Sequence, residues 1–348
     1  MGHRFSATAS KSIPALLVLA IWVILLYSTT YEAPFIFDDT ANIVNNPFVK
    51  LDDLSWQSLR QVATNGPNGW RWLPNISFGL NYYVGGLDVT GFHLVNISIH
   101  VMTAFFFYLL ARLTLELPVM ARRYAKTTEI ALAAALLWAV HPLQTNGVTY
   151  IVQRMTAMAA MFSICSLLCY ARARLADAVS RKTGFFAAAL ITGVMALFSK
   201  QNSGMLPLMI LGYEFFFLRR AHFIERRKLL PGAAAALLIF ILISVLFLGT
   251  NPVDRVLAGY GNRDFTPGQR LLTQTRIIFH YLSLLVLPLP SRLNLAYDFQ
   301  LSTGLLAPLQ TLAAVMGLAG ISGLGFFLFR RDRLAAFAVF WFFGNLLV

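Results

Sequence analysis

Long apolar runs, separated alternately by basic clusters and by polar stretches, organise this chain from end to end. The first run, residues 13–31, is long enough to cross a hydrocarbon core, for which about 20 helical residues suffice. Arg4 and Lys11 precede it and place the N-terminus on the cytoplasmic side. The run lacks a small-residue cleavage pattern, so a retained span is expected rather than a removed signal peptide. Residues 32–93 then form a polar loop too long to be a mere connector. Inside it, "LDDLSWQSLRQV" spaces Leu51, Leu54, Leu59 and Val62 as a helix would, predicting a short helix in the membrane interface. A second span, 93–116, returns to "ARRYAK", and a third, 129–140, stops at "HPLQTNG". The fourth starts near Met155 and ends at the basic "ARARLADAVSRK". Residues 184–198, 205–218 and 233–248 give three more, the middle one reaching "RRAHFIERRK".

The remainder is less regular. Residues 277–287 are apolar but stand among Arg270, Arg276 and Arg292; were they to cross, "RRDR" at 330–333 would fall outside, against the charge rule. An outer-side or re-entrant helix is therefore expected in 251–304, with 305–329 running inward and 334 onward running outward. The last residues, "WFFGNLLV", lie within an apolar run, and the chain is expected to continue past 348. The architecture predicted is an all-α polytopic membrane protein: a module of about seven spans over 1–250 with the outer loop 32–93, the outer segment 251–304, and further transmembrane helices over 305–348. The inverted repeat of many secondary transporters is not visible.

Composition agrees with this class: 57% of residues are hydrophobic and 12% charged. The net charge of +13 invites a nucleic-acid reading, but the basic residues cluster between apolar runs and are accounted for by topology, so no nucleic-acid partner is expected. Cys165 and Cys169 sit at i and i+4 of one apolar run without metal-ligand partners and read as packing residues.

Topology singles out the residues that charge bias does not require. Asp38 and Asp39 lie in the outer loop among phenylalanines, where carboxylates are expensive. Arg154 opens the fourth span, Lys200 follows the fifth, and Arg71 sits in the loop, all on the outer side with His93, His141 and Gln144. Carboxylates beside fixed cations suit an anionic, lipid-borne substrate handed to a hydroxyl. The cations would hold a phosphate and a carboxylate would take the proton. In an extended segment adjacent side chains diverge, so one Asp would face the site while the other anchors the loop. Trp70 and Trp72 beside Arg71 suit stacking on a sugar. Plainer readings stand beside these. The aspartates suit a helix cap or, with Asn42, a divalent-cation site, although such ions usually take more oxygen ligands. Arg154 and Lys200 suit snorkelling to headgroups, Arg71 a salt bridge within the loop, and His141 or His93 a capping role.

Five stretches occur in order and cover most of the chain: "FIFDDTANIVNNP", "RWLPNISFGLNYYVGGLDVTGFHLVNISIH", "LLWAVHPLQTNGVTYIVQRMTAMAAMF", "FSKQNSGMLPLMILGYEF" and "RLLTQTRIIFHYLSLLVLPLPSRLNLAYDF". Together they resemble the GT-C polyprenyl-phosphate-sugar glycosyltransferases, specifically bacterial relatives of the transmembrane and tetratricopeptide-repeat O-mannosyltransferases. The resemblance implies an inverting transferase in a bacterial inner membrane, with a periplasmic site, a polyprenyl-phosphate-linked sugar as donor and a protein or glycan as acceptor. The family's acidic loop motif matches Asp38 and Asp39, the first being the expected base. Arg154, Lys200, Arg292 and Arg270 are then expected at the donor phosphate, and Arg71, Trp72, His93, His141, Gln144 and Gln201 around the substrate or acceptor. Two departures, Asn146 and Gln201 where relatives often carry acidic residues, remove possible second carboxylates. No cofactor is required by this reading. The alternatives are an oligosaccharyltransferase using a diphosphate-linked glycan, a lipid or solute transporter, and a non-catalytic binding protein.

Overall fold

The computed structural model describes residues 2–66, 69–121, 123–218, 263–294 and 297–346, with isolated positions between 238 and 261. The expected span 233–248 and the basic cluster 219–228 fall largely outside the described residues. Among those described the protein is helical, with no β-strand. Among the described residues four helices are long and apolar enough to cross a membrane: Ile13–Thr30, Val89–Glu116, Ile151–Leu175 and Gln310–Arg331. The chain divides into two compact units, Met1–Leu206 and Pro207–Val348.

The first unit contains α1 (Gly2–Tyr27), α2 (Trp56–Asn65), α3 (Trp72–Gly85), α4 (Val89–Glu116), α5 (Thr127–Ala139), the single turn α6 (Thr145–Val148), α7 (Arg154–Leu175) and α8 (Val179–Leu197). Helix α4 is the organiser, packing on α1, α5 and α7, while α7 also pairs with α8. Its start is set by Asp88, whose carboxylate accepts the Thr90 N–H at 3.1 Å. Ser55 caps α2 in the same way. A polar stripe on α4 faces inward: His100 meets the Ala139 carbonyl that α5 leaves open at its C-terminus (2.9 Å), and Asn96 donates to the carbonyls of Val148 and Ile151. These bonds pin the irregular stretch 141–153 against α4, so α7 can begin only at Arg154.

The outer loop is packed rather than loose. Ile43 and Val49 join Phe78, Phe92, Tyr150, Ile151, Val152 and Met155 in one buried cluster. Burying a large apolar side chain contributes about 1.5–3 kcal/mol, so this cluster fixes the loop onto the starts of α3, α4 and α7. At Gly79 the backbone of α3 runs so close to Leu51 that a Cβ would stand 2.9 Å from its side chain.

The second unit contains α9 (Leu206–Tyr213), α10 (Pro267–Val286), α11 (Gln310–Arg331) and α12 (Arg333–Asn345). Helix α10 opens with a reciprocal capping box between Thr266 and Gln269 and with Pro267 in its first turn. Gly317 of α11 admits the Phe279 ring of α10, whose edge would lie 2.5 Å from a Cβ there. Phe216, Phe217, Phe337 and Phe340 make an aromatic cluster between the turn Glu214–Leu218 and α12.

Candidate active site at the start of helix α7

The site is built on residues 150–156, where the chain enters α7. Asp39 is fully buried, its Oδ1 accepting the Val152 N–H at 2.7 Å and its Oδ2 the Ile36 N–H at 3.0 Å. Asp38, next to it, is exposed, and its backbone N–H donates to the Tyr150 hydroxyl at 2.9 Å. The pair thus divides the work, but not through the extended backbone that sequence suggested. Residues 38 and 39 lie in a helical turn, and the side chains diverge by about 100°. Phe37, before them, holds a φ of +43°, the left-handed region that costs a non-glycine residue energy. Asp39 caps no helix with its side chain. With these two bonds its carboxylate anchors the loop to residues ahead of α7. Burial raises its pKa, while the two N–H donors and then His93 pull the other way.

Two cations reach the same segment at Met155 and Thr156. Arg71 donates from Nε to Gln201 Oε1 at 3.2 Å and from Nη1 to the Met155 sulfur at 3.1 Å. Lys200 donates from Nζ to Thr156 Oγ1 at 2.7 Å, and that hydroxyl donates to Gln153 Oε1 at 2.6 Å. Neither cation has a carboxylate partner among the described residues. Burial lowers the pKa of both, and the charge of Arg71 depresses Lys200 further. Two partly desolvated positive charges that repel one another constitute a site that gains from a bound anion. Trp72 closes one flank, stacked on Phe198 with centroids 4.2 Å apart.

The other expected residues are placed differently. Arg154 is fully buried, its three guanidinium nitrogens donating to Asn96 Oδ1 (2.7 Å), Ser77 Oγ (2.8 Å) and the Phe92 carbonyl (2.9 Å), with its charge over the Phe78 and Phe92 rings. These bonds tie α3, α4 and α7 together. His93 is likewise fully buried and bonds the Ala33 carbonyl, so it holds the loop rather than lining a pocket. His141 accepts the Leu143 N–H and caps the turn Pro142–Gln144, where Gln144 is half-buried. Arg270 and Arg292 belong to the second unit: Arg270 reaches the Tyr260 hydroxyl (3.3 Å), and Arg292 donates to Ser283 Oγ (2.5 Å) and meets His280 Nδ1 (3.4 Å). Among the described residues no group of three or more His, Cys, Asp or Glu side chains could hold a metal ion. Tyr150 and Thr156 were not singled out from sequence. Nothing in "VTYIVQRMT" distinguishes a tyrosine that reaches a distant loop from one that only packs.

No protein-family model and no solved structure matches the chain. Curated proteins do. Over 187 residues it is 32% identical to protein O-mannosyl-transferase TMTC4 of Homo sapiens, covering 50% of this chain and 25% of that protein. The chain is similar to protein O-mannosyl-transferases. The Drosophila melanogaster protein O-mannosyl-transferase Tmtc1 is 29% identical over 206 residues, 57% of this chain and 22% of its own length. With TMTC2 of Homo sapiens the likeness extends furthest of these three, 27% over 251 residues, 68% of this chain and 28% of the relative. The chain thus matches only about a quarter of the length of each of these O-mannosyl-transferases.

Proposed function

We propose that this chain is the membrane part of a GT-C-type glycosyltransferase, one that moves a sugar from a polyprenyl-phosphate donor to an acceptor hydroxyl, with inversion, at the periplasmic face of a bacterial inner membrane. The observation that carries the reading is that residues 150–156 hold both Asp38, bound through its backbone N–H and with its side chain exposed, and two cations without carboxylate partners among the described residues, Arg71 and Lys200. The relatives, protein O-mannosyl-transferases by name, support sugar transfer to protein, and make mannose the first sugar and a protein hydroxyl the first acceptor to test.

In this reaction the acceptor oxygen attacks the anomeric carbon as the bond from that carbon to the phosphate oxygen breaks. The acceptor proton passes to Asp38. The departing phosphate gains negative charge and needs no proton, so fixed cations stabilise it more in the transition state than in the bound donor. Arg71 and Lys200 take this role, with Gln201 and Thr156 holding their orientation. Arg154 and Asp39 act as supports, and Trp72 borders the sugar. Arg270 and Arg292 remain candidates for contacting lipid phosphate or acceptor.

The test is transfer from a panel of radiolabelled polyprenyl-phosphate sugars in membranes carrying the wild type or Asp38→Asn, with donor binding and protein level measured in parallel. Loss of a positioned general base lowers turnover by about 10²- to 10⁴-fold, and the variant is expected to keep donor binding. Wild-type turnover in Asp38→Asn would remove Asp38 as the base. Transfer only from diphosphate-linked glycans would replace the donor class.

A further inference from the structure

We infer that Tyr150 is the positioning residue of the proposed base, its hydroxyl holding Asp38 in a fixed direction over the start of α7. The inference rests on the glycosyltransferase reading above, in which Asp38 takes the acceptor proton.

The Tyr150 ring is buried to 7% exposure among Ile43, Val49, Phe78, Phe92, Ile151, Val152 and Met155. A ring packed on all sides has little rotamer freedom, so its hydroxyl is delivered to one point. That point is the loop tip: the Asp38 N–H donates to the hydroxyl oxygen at 2.9 Å. The hydroxyl's own proton then remains available to the Asp38 carboxylate, whose charge lies close enough to raise the tyrosine pKa. Burial, and then the charges of Asp38 and Asp39, raise the tyrosine pKa, so the hydroxyl stays protonated at neutral pH and keeps its donor.

Residues 150–152 therefore grip the loop at two consecutive positions, Tyr150 on Asp38 and the Val152 N–H on Asp39. The Val152 bond holds Asp39, whereas the Tyr150 contact acts on Asp38, the residue that carries the exposed carboxylate and whose carbonyl also accepts the Asn42 side-chain N–H at 2.8 Å. The strained φ of Phe37 gives that contact a further task, because a backbone held in a sparsely populated region relaxes unless neighbours over-determine it. A base displaced by about 1 Å loses a large part of its rate advantage, so a hydroxyl that prevents the displacement is felt in turnover.

The experiment compares Tyr150→Phe, Asp38→Asn and Val49→Ala in the full chain in its native membrane, reading kcat, donor KM, thermal stability and amide hydrogen exchange at residues 36–40. Tyr150→Phe keeps the packed ring and removes one hydroxyl. It is expected to lower kcat roughly 5- to 10-fold, the equivalent of one hydrogen bond, with donor KM unchanged and faster exchange at Asp38. Val49→Ala thins the same cluster and is expected to lose stability while keeping kcat. Wild-type kcat in Tyr150→Phe beside a silent Asp38→Asn would overturn this inference alone. An equal kcat loss in Val49→Ala would also overturn it, by tracing the effect to stability. Wild-type turnover in Asp38→Asn would overturn the functional reading, and this inference with it.

Discussion

The two aspartates of the loop show how one turn of backbone sets unlike fates for like side chains. A carboxylate taken fully out of water is costly, and Asp39 is tolerated because two N–H donors meet it. The donors do not fully offset burial, and its pKa stays above the usual carboxylate value. Since folding raises this value, the folded state holds the Asp39 proton more tightly than the unfolded chain does. The associated stability is present below the unfolded value of about 3.9 and is lost as pH rises through the raised folded value. Thermal unfolding in detergent, followed from pH 3.5 to 7, is expected to show a stability decline across that window, flattened in Asp39→Asn. The variant also leaves one backbone donor facing an amide nitrogen, which costs about 1–3 kcal/mol at every pH. A pH dependence unchanged in Asp39→Asn would mean that another group carries it. Asp38 and Asp39 were both legible in the sequence as functional candidates, since acidic residues beside phenylalanines are rare near a membrane. Which of them is buried was not legible, because that depends on Val152, which lies 113 residues away.

At the scale of elements, the starts of α3, α4 and α7 meet through one guanidinium. Arg154 satisfies an amide oxygen, a hydroxyl and a carbonyl from two other helices, and its charge lies over the neighbouring rings of Phe78 and Phe92. Removing the buried guanidinium leaves its neutral acceptors unpaired, each at a cost of about 1–3 kcal/mol. Arg154→Ala is therefore expected to lower the thermal midpoint far more than Arg71→Ala, whose partners are the ends of flexible side chains. The comparison of the two midpoints in detergent checks this, and equal losses would contradict the support role. Periodicity placed Arg154 at the outer end of the fourth span, and α7 does begin there. Its burial escaped the sequence because a positive charge at a span's end is equally suited to solvent, to a headgroup or to a cage of acceptors. The cage comes from Ser77, Phe92 and Asn96, residues that read individually as ordinary helix and loop positions. Arg71 and Lys200 were likewise visible as outer-side cations, whereas their convergence on Met155 and Thr156 is a product of packing.

At the scale of the first unit, the contacts order the ends of its helices. Ala33, just past α1, bonds His93 in the first turns of α4, and the loop at Asp38 and Asp39 bonds Tyr150 and Val152 ahead of α7, so the end of α1 and the starts of α4 and α7 share one side. Helix α7 has 22 residues and so extends about 33 Å, enough for a hydrocarbon core. Its far end, with Arg172 and Arg174, and the far end of α4, followed by Arg123 and Lys126, therefore lie on the opposite side from the candidate site. The alternation of apolar and basic runs made this much of the fold readable, since hydropathy fixes span length and charge fixes direction. It did not reveal the packed loop, whose core draws on residues scattered from Ile43 to Met155. From charge bias the basic ends are expected to face the cytoplasm and the Asp38 loop to face outward. In a background carrying Cys165→Ser and Cys169→Ser, Thr40→Cys is expected to react with a membrane-impermeant maleimide from outside intact cells. Ala178→Cys, an exposed position between α7 and α8, is expected to react only after permeabilisation. The inverse pattern would turn the carboxylate and its two cations toward the cytoplasm, where a donor presented on the outer leaflet cannot reach them.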